Sequence, residues 1–245
     1  MGLPAFLFLT ASTLMTHQAC AKAISLLSDE WCHYACENES GKPGLLVEIA
    51  DRIFIDSDAQ LEYQSINWAR AIKLVRKGGT DALLGANKSD SPDFIFHKTP
   101  ILYSQMCFYT QPHDKWQFET VFSLRDRTVS VINGYSYGGL MDQYMAKFPE
   151  KVIKLTGHNL IERKLMMLKR ERIDTILGEK QVFEPYLASA KLHVAGCLDK
   201  KGLYIAFSPA HKARSLALAQ QVDSSLAQLN AHGEIEKIIN RYGAR

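Results

Sequence analysis

Charge of one sign is what this chain has least of: 29 lysines and arginines stand against 26 aspartates and glutamates, interspersed along 245 residues. Binding to nucleic acid requires a basic face, and none is expected, so nucleic acid is excluded as a partner. Internal repeats and low-complexity tracts are also missing. With 47% hydrophobic and 22% charged residues, the chain has enough apolar material for a sizeable core, in one domain or two lobes. No Ser-His-Asp arrangement, phosphate-binding loop or metal-spaced histidine cluster is visible among the 8 scattered histidines. His33, His97, His158 and His211 are therefore expected at the surface and not as catalytic bases, and no cofactor is implied.

Charge is lacking altogether from Met1 to Ala21, which contains no Asp, Glu, Lys or Arg. Leu3 to Met15 has the length of a secretory apolar region and is too short to span a bilayer. Ala19-Cys20-Ala21 supplies the small residues of a cleavage site, so residues 1–21 are expected to be a signal peptide and Lys22 the mature start. A buried amino-terminal helix and lipidation of Cys20 are the alternatives, the latter ill served by His17 and Gln18.

Four cysteines then remain, Cys32, Cys36, Cys107 and Cys197, in a compartment that permits disulfides. They allow three pairings. Cys32 with Cys36 would close a small loop and leave Cys107 with Cys197; zinc, with His33 between the first two cysteines, is the rival reading, although the spacing is not C-x-x-C.

Strand and helix signals alternate, which predicts an α/β fold with mostly parallel sheet. Strands are expected at Ile24–Leu27, Leu61–Gln64, Asp81–Ala86, Gln105–Thr110, Thr128–Ile132, Ile173–Leu177 and Leu203–Phe207. Leu46, Ile49, Ala50 and Ile53 mark an amphipathic helix after Gly44, and Asn67 caps a second one containing Trp68, Ile72 and Val75, stopped at Gly78-Gly79. Gln111–Gln117, with Pro112, resembles a linker or lobe boundary. The Thr128 strand runs into Asn133-Gly134-Tyr135-Ser136-Tyr137-Gly138-Gly139 ahead of a helix with Leu140 and Tyr144. Such a turn points free backbone N–H groups above the sheet, but it lacks G-x-G-x-x-G spacing. Asn159 and Glu162 look like a capping box for a helix with Ile161, Leu165 and Leu168. Leu218 to Leu229 and Ile235 to Ile239 predict two terminal helices that pack on one of the lobes.

Glu30-Trp31 with Tyr34, Gly44–Phe54, Trp68-Ala69-Arg70, Gly79–Ser89, Gly134-Tyr135-Ser136 and Arg172-Ile173-Asp174, in this order and spacing, resemble the family 3 extracellular solute-binding proteins. That group includes periplasmic amino-acid receptors of ABC importers. The resemblance covers nearly the whole mature chain and implies the two-lobed type II periplasmic binding fold, with two crossover strands and a ligand cleft between lobes. Residues 22–108 and 203–245 would form lobe one and 109–202 lobe two, with a Cys107–Cys197 disulfide beside the hinge. It also implies a monomer in the periplasm, whose partners are a small polar solute and a membrane permease.

One departure concerns the ligand. The amino-acid receptors carry a Thr-x-Thr-x-x-Arg loop whose arginine clamps the ligand carboxylate bidentately. Here Asn87 and Ser89 stand for the threonines and Pro92 for the arginine. Glu179 falls where the family holds the ligand ammonium, Arg70 and Lys88 are candidate substitutes for the arginine, and Trp31, Trp68 and Tyr135 are candidates for an aromatic wall. The full candidate ligand set is Glu30, Trp31, Tyr34, Trp68, Arg70, Asn87, Lys88, Ser89, Tyr103, Gly134, Tyr135, Ser136 and Glu179. The expected activity is binding without catalysis. The alternatives are a cleft enzyme such as a dehydratase using Glu30 or Glu179, and a ligand-sensing receptor.

Overall fold

A computed structural model describes residues 23–36, 42–55 and 59–243; the expected signal segment, with Cys20, lies outside these. The first lobe begins with β1 (Ile24–Ser28), α1 (Leu45–Phe54), β2 (Leu61–Ser65), α2 (Trp68–Arg76), β3 (Ala82–Ala86), β4 (Ile95–Phe96) and β5 (Leu102–Ser104). The second contains β6 (Met106–Thr110), β7 (Val129–Ile132), α3 (Gly139–Lys147), β8 (Val152–Leu155), α4 (Leu160–Lys169), β9 (Thr175–Glu179), α5 (Lys180–Ser189) and β10 (His193–Cys197). β11 (Lys201–Phe207), α6 (Lys212–Ala231) and α7 (Glu234–Arg241) return to the first.

The first sheet has the order β2-β1-β3-β11-β4, with β5 paired to β11, and the second the order β10-β6-β9-β7-β8. Parallel pairing holds for β2-β1-β3 and for β8-β7-β9. The returning strands β11 and β6 pair antiparallel with β3 and β9, so each sheet is mixed where a mostly parallel one was expected. β3 and β9 are buried along their whole length, as central strands covered on both faces must be.

The local chemistry explains the elements that frame the cleft. The Asn67 side chain accepts the Arg70 N–H at 3.3 Å and starts α2, and Gly78, at φ 78°, ends it. α1 turns Leu45, Leu46, Ile49, Ala50 and Ile53 into the core. The terminal helices dock on lobe one: Arg214 on α6 reaches Asp81 at 2.7 Å, and Glu234 of α7 lies 3.8 Å from Arg52 of α1.

The chain crosses between sheets at Gln105 and again between Cys197 and Lys201, so the expected lobe limits, 108/109 and 202/203, fall inside β6 and β11. Cys107 and Cys197 face each other in register on β6 and β10 and form a disulfide. Cys32 and Cys36 pair with each other, which consumes the two thiolates that zinc would have needed.

Several sequence expectations change. The Gln111–Gln117 run does not cross between lobes; it stays with the second, where Asp114 accepts from Arg127 Nη2 at 2.9 Å. Asn159 does precede α4, but its left-handed backbone, φ 53°, leaves no side-chain cap bond. His97 is buried, not on the surface: its Nε2 accepts the Ile205 N–H at 3.0 Å, and burial lowers its pKa to about 4, so the ring is neutral. Among the described residues no helix is long and apolar enough to cross a membrane.

Candidate functional site

β1 and β3 run parallel and end side by side, and the residues just past their carboxyl ends face the β7–α3 turn of the other lobe. This is the position at which open α/β sheets place ligand sites. The cavity there is lined by Asp29, Trp31, Trp68, Gly85, Asn87 and Asp90 from lobe one and by Tyr135, Ser136 and Tyr137 from lobe two. Ser104, Met106, Leu198, Asp199, Lys201 and Leu203, from the crossing strands and their connections, complete it. Gly85 is needed at φ 84°, and a Cβ there would stand 2.9 Å from Leu46 and 3.5 Å from the Trp31 ring. The cavity measures about 40 Å³, room for a few water molecules, so a solute of amino-acid size enters only as the lobes separate.

Direct bonds join the lobes across this cavity. The Ser136 N–H donates to Asp90 Oδ1 at 3.0 Å, the Asn87 amide lies 3.5 Å from the Ser136 carbonyl, and the Tyr135 hydroxyl donates to Asp29. Gly134, at φ 89°, sits so near α2 that a Cβ on it would be 2.9 Å from the Ala69 Cβ.

The turn's N–H groups at Ser136, Tyr137 and Gly138 are occupied, where the sequence had suggested free ones. Asp142, in the first turn of α3, accepts from Tyr137 N at 2.7 Å and Gly138 N at 3.0 Å, and Asp90 takes Ser136. The other oxygen of Asp90 accepts from Asn87 N at 2.9 Å and Asn87 Nδ2 at 2.7 Å.

Burial dominates the electrostatics. It raises the Asp29 carboxyl to about 6 against the lowering bond from Tyr135. It raises Asp90 to about 7, with the Asn87 and Ser136 N–H groups and the Lys201 charge pulling down and the Asp29 charge pushing up. Lys201 lies 3.3 Å from Ser89 Oγ. Trp68 meets Tyr135 edge-on, ring centres 5.9 Å apart.

Of the residues singled out from sequence, Trp31, Trp68, Asn87, Tyr135 and Ser136 line the cavity. Ser89 borders it through Lys201, and Gly134 sets the approach of the lobes. Tyr34 is buried beneath it, 3.1 Å from Glu179. Glu179 caps α5 through Val182 N at 3.0 Å, and burial pushes its carboxyl up against that bond and those from Gln105 and Tyr34. Glu30 is exposed, its carboxylate 3.8 Å from His158. Both acids border an adjoining chamber that also contains Lys164. Lys164 is buried, donates to the Leu177 carbonyl at 2.8 Å, and is lowered by desolvation to about 7.

Three candidates point elsewhere. Arg70 and Tyr103 are exposed, and Lys88 lies over the Tyr204 ring at 4.9 Å. None of the three lines the cavity. Sequence reasoning missed Asp29, Asp90, Tyr137 and Lys201; the available signal was that Asp29 directly follows β1 and Asp90 lies in the loop after β3.

Residues 28–245 match the bacterial extracellular solute-binding proteins, family 3. No curated relative matches the chain by sequence. Among solved structures, a mutant of ArgBP from T. maritima superposes with a TM-score of 0.72 at 17% identity, covering 91% of this chain and 95% of that one. A histidine kinase sensor domain with similarity to periplasmic binding proteins gives 0.75 at 17%, covering 91% and 96%. AncCDT-1, an ancestral amino-acid-binding protein and precursor of cyclohexadienyl dehydratase, gives 0.69 at 15%, covering 90% and 94%. At these identities the superpositions speak for the fold alone. The match over most of its length makes this chain a member of the family 3 bacterial extracellular solute-binding proteins.

Proposed function

We propose that the protein is a periplasmic receptor that captures a small polar solute, amino-acid-like or a derivative of an amino acid, between its lobes and presents it to the permease of an ABC importer. In this reading it acts as a monomer after loss of its signal peptide and leaves the solute chemically unchanged. The observation that carries the reading is a cavity walled by both lobes and by both crossing strands. Closure about Gln105 and residues 198–200 would be favoured only by the contacts that a solute adds in the closed state. Amino-acid binding in the names of similar structures supports the same solute class.

Catalysis by Glu30 or Glu179 has less support. Neither lines the cavity, and Glu179 is engaged by Val182, Gln105 and Tyr34.

A thermal-shift screen of amino acids, polyamines, organic acids and sugars tests the reading. A bound solute stabilises by mass action, by about 2.7 kcal/mol at a hundredfold excess over Kd. Stabilisation with the solute recovered intact after long incubation is the expected result. Conversion of the solute would make the protein an enzyme, and a flat screen would remove the binding role. The genes beside this one separate transport from sensing.

A further inference from the structure

The backbone N–H groups at Ser136, Tyr137 and Gly138, which could receive a carboxylate in this cleft, are already taken by the chain's own carboxylates. Asp90 accepts the Ser136 N–H at 3.0 Å and two bonds from Asn87, and Asp142 accepts the N–H groups of Tyr137 and Gly138. Where an arginine could have offered a fork of donors, Pro92 offers none. The remaining cation on the wall, Lys201, acts on Asp90, and with Asp29 and Asp199 also on the lining the cavity has more acid than base.

Among the described residues no cation is paired with Asp29. Its one side-chain bond comes from the neutral Tyr135 hydroxyl, and burial raises its pKa to about 6. A half-buried carboxylate without a positive partner is costly, and a bound cation relieves that cost. Trp31, Trp68, Tyr135 and Tyr137 line the same cavity, and aromatic faces attract ammonium and guanidinium groups once water is excluded.

From this arrangement, which rests on the reading of the cleft as a solute site, we propose that the ligand is a small organic cation without a carboxylate. Its ammonium or guanidinium sits between Asp29 and Asp90 against the Trp31, Trp68 and Tyr135 rings. Asp90 takes the place that a ligand carboxylate would need, so amino acids are disfavoured by repulsion and by the loss of the Ser136, Tyr137 and Gly138 donors.

Matched pairs that differ by one carboxylate test this directly: agmatine against L-arginine, 1,4-diaminobutane against L-ornithine, and 1,5-diaminopentane against L-lysine, titrated calorimetrically into the mature chain. The expected result is at least one amine bound one to one and about tenfold or more tighter than its amino acid. Asp29→Asn should weaken that amine by about tenfold or more while the thermal midpoint without ligand holds or rises. Asp90→Asn, if it folds, should narrow the gap within the pair.

Equal or tighter binding of an amino acid overturns the proposal and leaves the solute-binding role standing. Unchanged amine affinity in Asp29→Asn overturns the assigned contact, and with it the proposal. No binding by any member of the pairs also overturns it, and the wider solute screen then decides separately whether the binding role survives.

Discussion

The Tyr34 hydroxyl lies 3.1 Å from the Glu179 carboxylate, and the two residues come from opposite lobes. Tyr34 follows β1 and Glu179 ends β9, and the same hydroxyl lies 2.5 Å from Gln181 Oε1 of α5, so these contacts tie the two lobes. Tyr34→Phe should cost about 1 kcal/mol, seen as a thermal midpoint lower by a few degrees. Glu179→Gln weakens the α5 cap by a similar amount. Lowered stability with unchanged solute affinity would give Glu179 a structural role, whereas weakened binding of a cationic solute would make it a ligand contact.

Lys164 is buried without a charged partner, and its pKa falls from 10.5 to about 7 through desolvation. The unfolded chain therefore holds that proton more tightly, so the stability contributed here rises as pH increases from about 7 towards 10.5. Lys164→Met should raise the thermal midpoint at neutral pH and flatten the rise on the alkaline side. Midpoints of both proteins measured between neutral and alkaline pH check this; a midpoint lowered at all pH values would show that the Leu177 bond outweighs desolvation.

Ala69 and Gly134 set how closely the lobes meet. Ala69→Leu places bulk against the Gly134 backbone and should hold the cleft open, lowering solute affinity about tenfold or more with little change in far-ultraviolet circular dichroism. Small-angle scattering should show a larger radius of gyration for the variant at saturating solute than for the parent.

Asp81 joins β3 to α6. Burial would raise its pKa, but hydrogen bonds from Arg214 and Ser25 outweigh that and hold it below the usual carboxylate value. The stability it contributes is thus present above the ordinary pKa, near 3.8, and is lost as pH falls through the lowered native value. Asp81→Asn should cost about 1–3 kcal/mol at neutral pH and steepen no further in acid, as urea titrations at neutral and acid pH can show.

The scaffold was legible because its signals are local. Asn67 and Gly78 bracket α2, and Ala82 to Ala86 is apolar throughout, so helix, strand and ligand-side loop can be read in a row. The site was legible only in part. Asp29 and Asp90 look like loop acids, and they are half-buried because a turn more than forty positions away folds over Asp90. Arg70 and Lys88 look like ligand cations beside the right motifs, but a helix face and the Tyr204 ring turn them outward. Which end of a side chain faces the cleft depends on the second lobe, and no local pattern encodes it.

Calorimetric titration of the mature chain with the most stabilising solute, beside the same titration of Trp68→Ala, tests the binding role most directly. One saturable site per chain, solute recovered intact, and affinity reduced about tenfold or more in the variant are expected. No saturable heat, or a solute that is converted during the titration, would contradict it.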